Sequence, residues 1–275
     1  MNIVFIGGGN MANALIGGLA ARATSPSRIS VVEPVEAQRA ALSGRFAGLE
    51  ACPTADDCRG LGGADVVVLA VKPQQMRDAL RPVVPFLGAS SPVVLSIAAG
   101  LRLADIARWL AGYPRLVRAM PNTPALIREG IAAMYASPAV DARGRSLAED
   151  VLRAGGDVVW VEDEAMLDAA TGVSGSGPAY VFYFLEALER AAHELGFDAA
   201  VARQLAYRTF DGAIALAKAS DHAPAALRAQ VTSRGGTTER AIESMQQDRV
   251  ADAIVSAVKA ATQRAAELGD VLGKD

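Results

Sequence analysis

Histidine and cysteine are scarce in this chain, two of each in 275 residues, and lysine appears four times. His193 and His222 fall in helical or helix-linking stretches, far in sequence from the glycine-rich segments. A Ser-His-Asp triad or a histidine-rich metal site is therefore hard to build, and no metal is expected. Cys52 and Cys58 are separated by five residues, a spacing that matches no standard zinc or redox motif. Two free thiols fit a reducing cytosol, so a cytoplasmic location is expected. Aromatic residues make up only 5%, so the core must be built from Ala, Val and Leu. No uninterrupted apolar run reaches membrane-spanning length, and Met1 leads directly into a buried-type strand, leaving no room for a signal peptide. A net charge of −3 gives no hint of nucleic acid or membrane partners. The length suits one large domain or two ordinary ones.

The most informative stretch present is Met1 to Leu19, MNIVFIGGGNMANALIGGL. A short apolar strand ending at Ile6 runs into glycines, and Asn10 opens a helix of Ala, Leu and Ile. The pattern is G-x-G-x-x-A, on Gly7, Gly9 and Ala12. Gly7 permits a tight turn and Gly9 a close approach of backbone to a pyrophosphate. Ala12 lets the helix lie near the strand, and the helix N–H groups face the phosphates. A second strand, Ile29-Ser-Val-Val-Glu33, closes on an acid. An acid there hydrogen-bonds the ribose hydroxyls of a dinucleotide and repels a 2′-phosphate, which favours NADH over NADPH. Arg39, in the following helix, is the counterweight, read as a solvated charge that could reach a phosphate.

Strands alternate with helices through the first half. Val66–Ala70 and Val93–Ser96 are continuous apolar runs, as expected of parallel strands covered on both faces. Leu116–Ala119, Ile131–Tyr135 and Val158–Val161 follow, with helices over Val35–Arg45, Leu101–Leu110 and Arg145–Arg153. This is the βαβ rhythm of an α/β, doubly wound sheet. After Val161 the strands stop and six helical segments take over, from Glu164 to Leu268. The expected division is residues 1–162 for a dinucleotide-binding domain and residues 163–275 for an all-α domain. Apolar residues cover much of the helical circumference, as in Tyr180-Val-Phe-Tyr-Phe-Leu185, so a helical dimer interface is expected.

Several segments carry polar or small residues where ligands sit in such folds. Leu69-Ala70-Val71-Lys72-Pro73 ends a strand and can offer backbone and apolar surface to a ribose and nicotinamide. Ser96-Ile-Ala98-Ala-Gly100 leaves space for a flat ring. Pro121-Asn122-Thr123-Pro124 is held rigid by its prolines and supplies two polar groups. Thr171–Tyr180 and Gln230–Glu239 each place hydroxyls and glycines ahead of a helix. In the second, Ser233 and Thr238 with the exposed N–H groups form a cradle for a small carboxylate.

Taken together, IGGGNMANALIGGL, LAVKPQ from Leu69, RAMPNTPALIREG from Arg118, GVSGSGPAYVF from Gly172 and QVTSRGGTTERAIESM from Gln230 resemble the Δ1-pyrroline-5-carboxylate reductase family, in order and over essentially the whole chain. The resemblance implies an N-terminal Rossmann domain and a C-terminal helical dimerisation domain. It further implies interleaved homodimers that often assemble into larger rings, commonly decamers. The reaction implied is hydride transfer from NADH or NADPH to the C=N carbon of pyrroline-5-carboxylate, giving L-proline. Substrate contacts are expected at Ser233, Gly235, Gly236, Thr237 and Thr238, with Thr238 catalytic near the ring nitrogen. Cofactor contacts are expected at Gly7, Gly9, Asn10, Met11, Glu33, Ala70, Val71, Lys72, Pro73, Ala98 and Asn122.

Two departures stand out: Ala12 where many relatives carry glycine, and Glu33-Pro34 where many carry small polar or basic residues. The second supports NADH, with dual use open. A reductase of a related cyclic imine carboxylate is the alternative. A β-hydroxyacid dehydrogenase would need a lysine in the first long helix after the Rossmann domain, and Ala179–Leu195 has none. A non-catalytic dinucleotide sensor would be expected to have lost the Ser233–Thr238 loop.

Overall fold

The computed structural model describes residues 1–22 and 28–274. Among these, one sheet of eight strands dominates the first half of the chain. Its strands are β1 (Asn2–Ile6), β2 (Arg28–Val32), β3 (Glu50–Cys52), β4 (Val66–Leu69), β5 (Val93–Ser96), β6 (Leu116–Met120), β7 (Gly130–Ala136) and β8 (Gly156–Trp160). They lie in the order β3-β2-β1-β4-β5-β6-β7-β8, and every neighbouring pair is parallel except β6 and β7. The helices of this half are α1 (Asn10–Ala20), α2 (Glu36–Arg45), α3 (Met76–Leu80), α4 (Leu87–Ser90), α5 (Leu103–Trp109) and α6 (Ala142–Leu152).

The strands are buried on both faces because their side chains alternate between two separate cores. Ile3 and Phe5 of β1, with Val66 and Val68 of β4, pack against Leu15, Ile16 and Leu19 of α1 and Val151 of α6. Val4 and Ile6, with Val67 and Leu69, pack on the other face against Met76 and Leu80 of α3 and Ile106 of α5. Helix α1 buries Ala12, Leu15, Ile16 and Leu19, the i, i+3, i+4, i+7 stripe of a helix laid on a sheet. Each such Leu or Ile contributes about 1.5–3 kcal/mol by leaving water. The same helix comes close enough to the chain after α6 that a Cβ on Gly18 would overlap the Ala154 carbonyl.

The doubly wound rhythm holds from β1 to β6, and β7 then reverses. Only residues 121–129 connect β6 to β7, too few for the crossover that a parallel neighbour requires. Strand β3, Glu-Ala-Cys, has no apolar run and leaves no mark in the sequence pattern.

The later helices are α7 (Met166–Ala170), α8 (Gly177–Glu194), α9 (Ala199–Lys218), α10 (Pro224–Gln230), α11 (Thr237–Gln247) and α12 (Val250–Leu272). The chain forms two compact units, residues 1–176 with 260–275, and residues 177–259. The strands end at Trp160, close to the expected division after residue 162, yet the first unit runs on to residue 176 and regains the chain end. Two local causes are visible. Arg118 of β6 binds Glu164 and Asp168, tying α7 to the sheet. The last turns of α12 place Leu272 against the α5 core and pair Asp270 with Arg102.

Within the second unit, α8 and α9 pack on each other and Glu189 pairs with Arg203 at 3.5 Å. The Asp198 carboxylate caps α9 by accepting from the Val201 N–H. No residue of α8 is buried, and Phe182, Tyr183, Ile214 and Leu216 stand exposed in the single chain. Among the described residues, no helix is long and apolar enough to cross a membrane.

Candidate functional site

A cleft of about 650 Å³ opens at the carboxyl ends of β1, β2, β3 and β4. Strand order reverses here, with β2 on one side of β1 and β4 on the other, the position where open α/β sheets bind ligands. Its walls are the segments Gly7–Gly9, Glu33–Val35, Pro53–Ala55 and Ala70–Lys72.

The glycine turn is shaped by sterics. Gly7 has φ of +98°, and its N–H donates to the Val32 carbonyl at 2.8 Å. A Cβ there would lie 2.8 Å from Val71 Cγ1 and 2.9 Å from the Ala70 oxygen, so both torsion and space demand glycine. Gly9 is exposed and precedes α1 in extended conformation, and no side chain caps the helix start. The first N–H groups of α1, on Asn10 and Met11, therefore remain available to an anion. Ala12 is fully buried, as close helix–strand packing requires. Asn13, which sequence spacing does not single out, donates through Nδ2 to the carbonyls of Gly8 (2.8 Å) and Gly9 (3.1 Å) and locks the turn.

Glu33 stands on the cleft wall just past β2. Its side chain is buried, and both oxygens face the protein: Gly8 N–H donates to Oε2 at 3.0 Å and Val35 N–H to Oε1 at 2.9 Å. The carboxylate thus braces the glycine turn against the start of α2 before any ligand is present. It still places a negative charge at the cleft wall. Arg39 is not a free surface charge either. Its guanidinium donates to the carbonyls of Glu33 (2.8 Å) and Pro34 (2.7 Å) and closes the same corner.

Lys72 is exposed and, among the described residues, is the one cationic side chain on the cleft wall, where Glu33 and Asp78 are the acids. Of the residues expected to meet a cofactor, Gly7, Gly9, Glu33, Ala70, Val71 and Lys72 share this wall. Asn10, Met11, Pro73, Ala98 and Asn122 do not line it. Pro73 opens the short turn after Lys72, and Ala98 is buried just past β5. Asn122 is buried and engaged at both ends of its amide: Nδ2 donates to the Ser174 carbonyl and Oδ1 accepts from the Ile131 N–H.

The segment that Asn122 grips is not the loop its glycines and serines suggest. Residues Thr171–Gly175 form one wide π-helical turn between α7 and α8. The Thr171 and Ser174 hydroxyls donate back to the carbonyls of Leu167 and Ala170. Such turns cluster at functional sites. Beneath it, the buried Arg118 donates to the part-buried acids Glu164 at 3.1 Å and Asp168 at 2.9 Å, a triad that joins β6 to residues far along the sequence.

The loop expected to hold a carboxylate belongs to the second unit. Gly235 adopts φ of +73°, and its N–H donates to Glu239 Oε2 at 2.6 Å. The Gly236 N–H donates to the Ser233 carbonyl at 3.0 Å. No side chain caps α11 by accepting a hydrogen bond from its first turn. The loop therefore gathers Ser233, Gly235, Gly236, Thr237 and Thr238 around one helix start.

Comparison with known proteins places these features. The model of the family described as pyrroline-5-carboxylate reductase dimerisation matches residues 164–268, and one described as NADP oxidoreductase coenzyme F420-dependent matches residues 2–100. A pyrroline-5-carboxylate reductase of Pseudomonas aeruginosa is 43% identical over 99% of this chain and 98% of its own length. One from Vibrio alginolyticus is 36% identical over 97% of each. Among solved structures, a pyrroline-5-carboxylate reductase from Coxiella burnetii is 39% identical with a TM-score of 0.90, covering 97% of this chain and 98% of that one. A pyrroline carboxylate reductase from Plasmodium falciparum with NADP bound is 26% identical with a TM-score of 0.82, covering 98% of each.

Proposed function

The chain belongs to the pyrroline-5-carboxylate reductase family, and on that premise we propose that it reduces 1-pyrroline-5-carboxylate to L-proline, the last step of proline biosynthesis. The single observation that carries the dinucleotide half of this reading is the Gly7 turn. It is a cradle that a Cβ would fill, facing an uncapped helix start at the switch point of the sheet.

NAD(P)H, when bound, supplies the hydride for the imine carbon. The residues of the chain provide placement. The first N–H groups of α1 hold the pyrophosphate, with Ala70 and Val71 as apolar wall. Lys72 adds a positive charge on that wall. In the second unit, the substrate carboxylate takes the Ser233 hydroxyl and the opening N–H groups of α11. The N–H of Gly235 is held by Glu239 and becomes available only if that carboxylate swings away. Thr238 donates its hydroxyl to the ring nitrogen as that atom gains electron density. A protonated C=N⁺ is already a good hydride acceptor, so no strong acid is required. Orientation of this kind is worth about 7–11 kcal/mol relative to free reactants.

NADH is the favoured cofactor on this reading, because the Glu33 charge stands where a 2′-phosphate would approach. The exposed apolar side chains of α8 and α9 are read as a homodimer interface, with dimers closing into a ring such as a decamer. The enzyme is assigned to the cytoplasm.

The deciding experiment is a steady-state assay with pyrroline-5-carboxylate and each nicotinamide cofactor, run beside piperideine-2-carboxylate and pyrroline-2-carboxylate. Highest kcat/KM for pyrroline-5-carboxylate is expected. Turnover confined to the ring analogues would replace the reading with that of a related cyclic imine reductase.

A further inference from the structure

Behind the cleft wall, β3 sets Glu50 and Cys52 on the same face of the strand, and the turn that follows brings Cys58 back beside them. The two Sγ atoms and a Glu50 oxygen all lie within 4.8 Å of one another. Among the described residues this is the one such group of His, Cys, Asp or Glu donors. We propose that Glu50, Cys52 and Cys58 form a binding site for a soft divalent cation of the Zn²⁺ or Cd²⁺ type.

The geometry is close to what such an ion needs. Zn–S bonds of about 2.3 Å and Zn–O bonds of about 2.1 Å at tetrahedral angles set donors roughly 3.5–4 Å apart. A small contraction of the present cluster reaches that spacing. The intervening turn is already pinned, with Thr54 Oγ1 donating to Asp57 Oδ2 at 2.6 Å and Cys58 N–H donating to the Ala55 carbonyl. Pro53, Thr54, Asp56 and Asp57 on that turn are exposed, so its brief opening gives a route in past two carboxylates.

The charges also fit. The Glu50 carboxylate is held in place by the Ser30 hydroxyl, donating at 2.8 Å, and by Arg28 at 2.7 Å. Two thiolates and one carboxylate around a charge of +2 leave −1, which Arg28 balances.

The test uses the full-length protein after chelation and buffer exchange, titrated with Cd²⁺. The chain has only these two cysteines, so any thiolate-to-cadmium charge-transfer band reports this site. Saturation at one Cd²⁺ per chain with release of two protons is expected. Cys52→Ser and Cys58→Ser should each abolish the band, and Glu50→Gln should weaken binding tenfold or more. No band in the wild-type protein would overturn the proposal. So would tight cadmium uptake that persists in the double serine variant.

Discussion

The carboxylate of Glu33 and the backbone N–H of Gly8 are joined at 3.0 Å, so the acid closing the second strand fixes the shape of the first glycine turn. A ligand approaching this corner meets an acid already committed to two backbone donors. Its influence on cofactor choice is then exerted through charge as much as through any new hydrogen bond. Glu33→Ser is expected to raise the use of NADPH relative to NADH. It should also raise KM for both, because Gly8 and Val35 lose their acceptor. An unaltered ratio of kcat/KM values for the two cofactors would defeat the charge argument.

Gly7→Ala places a methyl group against Val71 and the Ala70 carbonyl at a torsion that L-residues avoid. A loss of about 1–3 kcal/mol in stability is expected, together with loss of dinucleotide binding. Urea melts and fluorescence titration with NADH measure the two effects separately.

Thr238→Ala is expected to lower kcat about tenfold to a thousandfold, the range for one polar contact made to a developing charge. Stopped-flow single turnovers separate that effect from slower product release. A variant with wild-type turnover would exclude Thr238 from the reaction.

Arg118→Ala strands Glu164 and Asp168 beside the sheet without their counter-charge. Both acids keep some contact with water, so the loss costs about 1–3 kcal/mol. Because Asp168 sits in α7, directly before the π turn, catalytic activity should fall at temperatures below the unfolding transition. Calorimetry and activity measured across the same temperature series would reveal it.

Acid sensitivity has an identifiable contributor. The Trp160 indole, donating at 2.8 Å, and then Arg153 hold the Glu149 carboxyl below its usual 4.5. A depressed folded-state value favours the native state above the unfolded pKa, and that contribution fades as pH drops through the folded value. Glu149→Gln should therefore flatten the fall in urea midpoint as pH drops below about 4.5. An acid limb as steep as that of the wild type would assign the sensitivity elsewhere.

How much of this was legible beforehand depended on whether the cause was local. The runs Val66–Leu69 and Val93–Ser96 announce fully buried strands because every residue in them meets a core. The stripe at residues 12, 15, 16 and 19 likewise announces α1. Strand β3 carries no such run and exists through pairing with β2. The reversal of β7 follows from the length of a connection and not from anything within the strand. The inward turn of Glu33 depends on where the Gly8 and Val35 N–H groups point, which no spacing rule contains. The Arg118 triad joins residues 46 and 50 positions apart and so has no signature in a local window. The π turn was hidden for a different reason. Glycines and serines read as loop, and only backbone bonds five residues apart, such as Ser176 N–H to the Thr171 carbonyl at 2.8 Å, make the segment helical.

Helix α12 begins in one compact unit and finishes in the other, while the chain between residues 177 and 259 leaves and rejoins the sheet-bearing unit. The helical portion is topologically an internal cassette with two seams, not an appendage hung from one. Grafting it between homologues therefore calls for paired cuts, near Ser176 and near Lys259, with the final sixteen residues kept from the recipient. A chimera spliced once, at the end of the strands, would separate Asp270 and Leu272 from the native partners they meet around Arg102 and α5.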